Sequence, residues 1–152
     1  MNSPALSLTA AEGALLGDDA VRDWVAKACP ADAYRGRRVL LIIPDGTRTA
    51  PIGLMFKSLF SQIGAAASAL DVMVALGTHP PMSEEAICGR LEISMDERRG
   101  RYARVQFFNH EWDNPQALHS LGTIPASEIR GLSGGLFEMD VPVEVNRRLL
   151  DY

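Results

Sequence analysis

Polar side chains follow three apolar segments of this sequence, and their types suit acid–base and anion-binding chemistry. The clusters are DGTRT at residues 45–49, GTHPP at 77–81 and NHEWD at 109–113. Each cluster begins where a run of apolar residues of strand length ends. Whether the three form one site depends on how those strands are arranged.

The DGTR cluster contains groups that bind a phosphate or a carboxylate. Gly46 permits a tight turn, Thr47 offers a hydroxyl, and Arg48 offers a planar cationic fork. The first turn of a following helix would add free N–H groups. In the alternative interpretation, Asp45 caps the turn and pairs with Arg48 at the surface. The sequence has neither the GxGxxG nor the P-loop nucleotide-binding pattern.

His79 is the main candidate for proton transfer. It follows an apolar segment through Gly77, and Pro80 and Pro81 restrict the backbone after it. A rigidly held imidazole suits proton transfer near neutral pH. The alternative is a loop histidine that only satisfies a backbone carbonyl.

The third cluster offers several further polar side chains. They are Asn109, His110, Glu111 and Asp113. In the alternative interpretation these are ordinary turn residues, and Trp112 covers the edge of a sheet.

Apolar periodicity and capping residues predict alternating helices and strands. Asp18 or Asp19 is expected to cap the first helix, Thr49 the second, and Ser83 precedes the third. The run at 37–44 has the pattern of a strand covered on both faces. The expected elements are a helix within 17–30, a strand at 37–44, a helix from about 51 to 63, a strand at 70–77, a helix within 82–91 and a strand at 104–110.

The connector and the last third of the chain have weaker patterns. The arginine-rich segment DERRGRYAR (96–104) is expected to be a solvated loop. His119 is expected at the surface, near the end of a short helix NPQALH. Short strands are predicted around 121–125, 127–132 and 136–141, with the glycine turn GLSGG (131–135) between strands and a terminal helix from near Pro142.

The order of elements predicts an α/β fold. We expect a Rossmann-like parallel sheet flanked by helices, with a small β-rich C-terminal portion. The carboxyl ends of parallel strands lie along one edge, where open α/β sheets bind ligands. Asp45, Arg48, His79 and His110 or its neighbours are therefore expected to face one cleft.

Composition limits the classes of function. The chain has 152 residues and a net charge of −4, which favours one globular domain over residues 1–152 and argues against a nucleic-acid partner. Residues 1–16 are poorly patterned, and their pattern predicts neither a signal peptide nor a membrane span. Cys29 and Cys88 have no spacing for a disulfide framework or a zinc site. The expected location is the cytoplasm.

The motifs together resemble the N-terminal domain of the LarA-type nickel-dependent lactate racemases. The likeness covers roughly residues 37–152 and rests on DGTR, LGTHPPMSEEAI, NHEWDNPQAL and VPVEVNRRLLDY, in that order. Members of this family are two-domain enzymes that interconvert stereoisomers of 2-hydroxy acids with a nickel-pincer nucleotide. The resemblance implies that this chain is the N-terminal half of such an isomerase and is inactive alone.

The resemblance also implies roles for individual residues. Asp45, Thr47 and Arg48 match the motif that lies against the cofactor, and His79 matches the catalytic histidine that removes the hydroxyl proton. Two positions depart from the common family pattern, which has Arg at Pro80 and Pro at Thr49. The family's cofactor-bearing lysine, second catalytic histidine and nickel-binding histidine lie downstream of the matched region, so no metal ligand is assigned here.

The implied partners are a small 2-hydroxy acid and a missing C-terminal domain, with no membrane and no nucleic acid. Lys27 and Lys57, the two lysines, lie outside the matching motifs. The alternative function is a stand-alone module that binds a small molecule or a nucleotide phosphate without turnover.

Overall fold

A computed structural model describes residues 6–152, which form two compact units. The first unit contains residues 6–75 and 82–108, and the second contains Leu76–Pro81 and Asn109–Tyr152. The predicted α/β class is confirmed: a three-stranded parallel sheet is flanked by helices, and a small antiparallel sheet follows. No helix in the described part of the chain is long and apolar enough to cross a membrane.

The first unit contains the parallel sheet, with strand order β1-β2-β3. Its elements are α1 (Asp18–Ala28), a 3-10 turn (Ala31–Tyr34), β1 (Arg38–Pro44), α2 (Ile52–Ile63), β2 (Ala69–Ala75), α3 (Glu84–Arg90), α4 (Met95–Arg99) and β3 (Phe107–Asn109), whose last residue belongs to the second unit. The predicted strands at 37–44 and 70–77 and the helix ending at Ile63 are therefore confirmed, whereas β3 is shorter than predicted.

Coverage on both faces holds for β2 but not for β1. Residues 70–74 of β2 are all buried, because this strand lies between two neighbours. At the edge of the sheet, β1 leaves Ile42 57% exposed. The expected full burial of 37–44 is thus wrong, since an apolar run does not show whether its strand is central or at an edge.

Aromatic rings fill the space around α2. Tyr102 is 1% exposed, and its ring centroid lies 5.2 Å from that of Phe56 and 4.7 Å from that of Phe60. Tyr102 lies in the arginine-rich connector, which was wrongly predicted to be a solvated loop. Ser94, two residues before that connector, and Glu97 within it form a capping box that begins α4.

Two predicted helix caps are also wrong. Gly17 precedes α1, and Asp18 and Asp19 lie in its first turn, where both pair with Arg22. Pro51 rather than Thr49 precedes α2. The prediction for α3 is confirmed, because the Ser83 side chain accepts a hydrogen bond from the Ala86 N–H.

The second unit differs most from the sequence-based prediction. Its elements are β4 (Leu118–Ile124), α5 (Ala126–Leu132), β5 (Val141–Asn146) and a 3-10 turn (Arg147–Asp151), and β4 pairs with β5 antiparallel. The segment 127–132 is helical rather than a strand, and Pro142 lies in β5 rather than at a helix start. The stretch NPQALH is not a helix, and His119 lies in β4, half-buried.

Two helix-associated glycines allow a test of the packing in the first unit. A Cβ on Gly64, directly after α2, would lie 2.5 Å from the carbonyl oxygen of Phe60, whereas one on Gly89 in α3 would meet nothing within 4 Å. We expect Gly64→Ala to lower the free energy of unfolding by about 1–3 kcal/mol. The matched variant Gly89→Ala should raise it by up to about 1 kcal/mol. Urea unfolding measures both, and equal effects would contradict the close approach at Gly64.

Candidate functional site

The DGTR turn directly follows β1 and is held by a buried carboxylate. Asp45 is 6% exposed, and its Oδ1 accepts hydrogen bonds from the Thr47 backbone N–H at 3.0 Å and from the Thr47 hydroxyl at 2.5 Å. Asp45 thus caps the turn, as one interpretation predicted. The predicted surface ion pair with Arg48 is wrong, because within residues 6–152 the exposed Arg48 side chain makes no salt bridge.

Arg90, the last residue of α3, donates hydrogen bonds to the backbone on both sides of the same turn. Its Nε donates to the Pro44 carbonyl at 3.4 Å, and its NH2 group donates to the Arg48 carbonyl. No sequence pattern indicates Arg90, because it is 42 residues from Arg48. The Arg48 backbone is therefore held in place while its guanidinium remains exposed to solvent.

The carboxylate of Glu92 lies beside the first turn of α2. A Cβ on Gly53 would meet Oε2 of Glu92 at 2.5 Å, so the Glu92 side chain lies against the first turn of the helix. The same oxygen is 3.8 Å from Nζ of Lys57. Glu92 therefore places a negative charge beside the first turn of α2, which opposes the binding of an external anion there. Arg48 is then the main cationic group of the turn.

His79 lies in a turn with a left-handed glycine. Its backbone N–H donates to the Leu76 carbonyl at 3.1 Å, and Gly77 has a φ of +58°, which glycine adopts at little cost. Leu76 is 2% exposed and anchors the start of this turn, whereas His79 is exposed. The imidazole is therefore presented from a backbone that is held at its base.

The second unit contains a cavity of about 350 Å³ beside His79, called the His79 cavity below. Leu76, Thr78, His79, Pro80, Pro81, His110, Glu111, Trp112 and Asp113 line it. The structure thus brings the GTHPP and NHEWD clusters together, and Trp112 is part of the cavity wall. The DGTR turn belongs to the first unit, so a common cleft for all three clusters stays a prediction.

His110 is oriented by a residue outside the three polar clusters. Its Nδ1 is 3.2 Å from Nδ2 of Asn146, which is 4% exposed at the end of β5. Oδ1 of Asn146 accepts from the Arg148 N–H at 3.0 Å. Asn146 is 36 residues from His110, and the pairing of β4 with β5 places Asn146 opposite Leu118, eight residues after His110. No local sequence pattern would have indicated this contact.

No metal centre is formed by the described residues. Within residues 6–152, no group of three or more His, Cys, Asp or Glu side chains is arranged to hold a metal ion. The His79 cavity instead offers two imidazoles and two carboxylates, which suit proton transfer and hydrogen bonding to a polar ligand.

Comparison with known proteins adds a family and a structural relative. Residues 18–151 match the family model described as the lactate racemase N-terminal domain. The crystal structure of a structural-genomics target protein from Thermotoga maritima is similar, with 32% sequence identity and a TM-score of 0.75. The match covers 89% of this chain and 31% of that chain, so this chain spans about a third of that relative's length. No curated protein matched the sequence.

The role of Arg90 can be tested by removing its hydrogen bonds. We expect Arg90→Met to lower the free energy of unfolding by about 1–3 kcal/mol, because two carbonyls lose a charged donor. Amide hydrogen exchange across residues 45–48 should also become faster. Arg99→Met is the matched control, since Arg99 makes an exposed pair with Asp96, and it should change stability by less than about 1 kcal/mol. Equal effects on stability and exchange would contradict the anchoring role of Arg90.

Proposed function

Because the chain belongs to the lactate racemase N-terminal domain family, we propose that it is the N-terminal domain of a 2-hydroxy acid racemase or epimerase. The observation that carries the proposal is the His79 cavity, where the family-matched histidine lies with His110, Glu111 and Asp113. A volume of about 350 Å³ is at the lower end of the range for small-molecule sites and suits a small hydroxy acid.

His79 is proposed as the general acid–base residue. A neutral ring nitrogen of His79 would accept the proton of the substrate hydroxyl as the C–H bond breaks, and it would return that proton when the bond forms again. The carboxylates of Glu111 and Asp113 line the same cavity. The turn at Leu76–His79 would hold the ring at the substrate.

The proposed cofactor is the nickel-pincer nucleotide implied by the family resemblance. When bound, it would accept the substrate hydride and return it to either face. Its phosphate would be held at the DGTR turn, where Arg48 is exposed and a Cβ on Gly46 would meet nothing within 4 Å. The Thr47 hydroxyl donates to Asp45, so Thr47 and Asp45 would shape the turn while Arg48 binds the anion.

The remaining cofactor contacts are assigned to a further domain. Lys57 lies next to Glu92 and Lys27 lies in the last turn of α1, and neither is in a family motif. The cofactor-bearing lysine, the nickel ligand and the base for the opposite face are therefore proposed to come from a C-terminal domain. The proposed location is the cytoplasm, where the thiols of Cys29 and Cys88 would stay reduced.

The acid–base role is tested by His79→Ala in the longer protein with cofactor supplied, because residues 1–152 alone are expected neither to racemise a hydroxy acid nor to retain nickel. Loss of a positioned base should lower kcat by roughly 10² to 10⁴ in both directions of racemisation. His119→Ala is the matched control, since His119 lies in β4 and is not among the residues that line the His79 cavity. Equal activity of the two variants would remove His79 from the mechanism.

The phosphate contact is tested by calorimetric titration of the chain with inorganic phosphate and with a pyridine mononucleotide. We expect weak binding that Arg48→Ala abolishes, because the turn then loses its cationic fork. Arg35→Ala removes a side chain that is 71% exposed and pairs with Asp32, and this variant should bind as the unmodified chain does. If Arg48→Ala and the unmodified chain bind equally, Arg48 is only a surface charge.

A further inference from the structure

His110 has two ring nitrogens in different surroundings. Nδ1 faces the amide of Asn146, which lines a neighbouring cavity of about 380 Å³ together with Arg147 and Arg148. His110 itself lines the His79 cavity. Nε2 has no hydrogen-bond partner among residues 6–152. Nε2 is therefore the polar group that His110 can offer to a ligand.

The orientation of the Asn146 amide is set by its second hydrogen bond. Oδ1 must accept from the Arg148 N–H, so the NH2 group is the end that faces His110. An amide NH2 group can only donate, and Nδ1 of His110 must therefore accept. In a neutral imidazole with Nδ1 as acceptor, the proton lies on Nε2.

The backbone around Asn146 is also firmly held. Asn146 pairs with Leu118 in the β4–β5 ladder and precedes the final 3-10 turn. The next residue, Arg147, donates its N–H to the Ala117 carbonyl at 2.7 Å and its side chain to the carbonyls of Gln116 and Leu118 at 3.2 and 3.0 Å. Both the position and the direction of the Asn146 amide are thus defined.

We propose that Asn146 is a positioning residue that holds His110 in the Nε2–H form, and that His110 thereby donates a hydrogen bond to an anionic oxygen in the His79 cavity. The ligand is a small carboxylate. Its assignment to the 2-hydroxy acids rests on the proposed function. His79 and His110 then have different roles. His79 accepts a proton from the hydroxyl, and His110 donates a hydrogen bond to the carboxylate at the other end of the same molecule.

The tautomer is measured directly by two-bond ¹H–¹⁵N correlation spectra of the uniformly labelled chain. The spectra should be recorded at an alkaline pH above which the ring signals no longer change, so that the rings are neutral. The chain has three histidines, and His110→Phe identifies the His110 signals. We expect the pattern of a single Nε2–H tautomer. A mixture like that of free histidine, or an Nδ1–H pattern, would overturn the proposal without any activity measurement.

Asn146→Asp tests whether the amide causes this tautomer. The carboxylate only accepts, so it should pull the proton to Nδ1 and reverse the His110 pattern, a change that mere loss of packing would not produce. Gln116→Glu is the matched control, because it adds the same charge to the cavity that Asn146 lines and leaves His110 in its Nε2–H form. A reversed pattern in both variants, or in neither, would contradict the positioning role. If Asn146→Asp fails to fold, the unmodified chain still decides the tautomer.

The ligand is tested with L-lactate, using 1,2-propanediol as the analogue without a carboxylate. Increasing L-lactate should change the chemical shift of the His110 Nε2–H signal until the site is saturated. The diol should leave this shift unchanged. His110→Phe removes a hydrogen bond to a charged acceptor, and we therefore expect it to weaken L-lactate binding by about tenfold. In this variant, binding is measured from the shift of the His79 ring signals. If the His110 signal does not shift when L-lactate is added, the ligand assignment is wrong, whether or not the His79 signal shifts. The His79→Ala kinetics judge the proposed reaction separately, so the two failures are distinguishable.

Discussion

The parallel pairing of β1 with β2 is the constraint on which the rest of the first unit depends. The register runs from Arg38 opposite Ala69 to Pro44 opposite Ala75, so both strands end at the same level. On the other side of β2, the Val72 N–H donates a hydrogen bond of 2.9 Å to the carbonyl of Gln106, the residue before β3. Because β2 is buried along residues 70–74, a shift of register would move its apolar side chains and both strand ends together.

Buried side-chain oxygens hold the backbone at three points near the ends of strands. Asp45 accepts from the Thr47 N–H, Asp71 from the Gln106 N–H at 2.7 Å, and Asn146 from the Arg148 N–H. A buried polar group is stable only when it is hydrogen-bonded, so each of these residues fixes the direction of a neighbouring segment. Asp45 shapes the turn that presents Arg48, and Asn146 orients the ring of His110. These groups therefore connect the fold to the candidate site.

The errors of the sequence-based prediction have identifiable physical causes. The α5 segment ASEIRGL has only seven residues, too few for helical periodicity to show against the glycines that follow it. Pro142 suggested a helix start, yet it lies in a two-stranded sheet, where edge strands tolerate a missing N–H. The arginine-rich connector was predicted to be solvated. However, Arg98 lies over the Phe107 ring at 4.5 Å and bonds Glu84, so its charge is compatible with packing.

The sequence by itself determined the parallel sheet, the helices α2 and α3 between its strands and the residue types at the strand ends. Apolar runs, a capping serine and glycine turns can be recognised from neighbouring residues alone, without knowledge of the fold. The family resemblance rests on the same stretches, and it is confirmed over residues 18–151. Only the tertiary structure decided that Arg90 fastens the DGTR turn, that Glu92 lies at the start of α2, and that Asn146 orients His110. Each of these contacts joins residues 36 or more positions apart, and their geometry comes from strand pairing and side-chain packing.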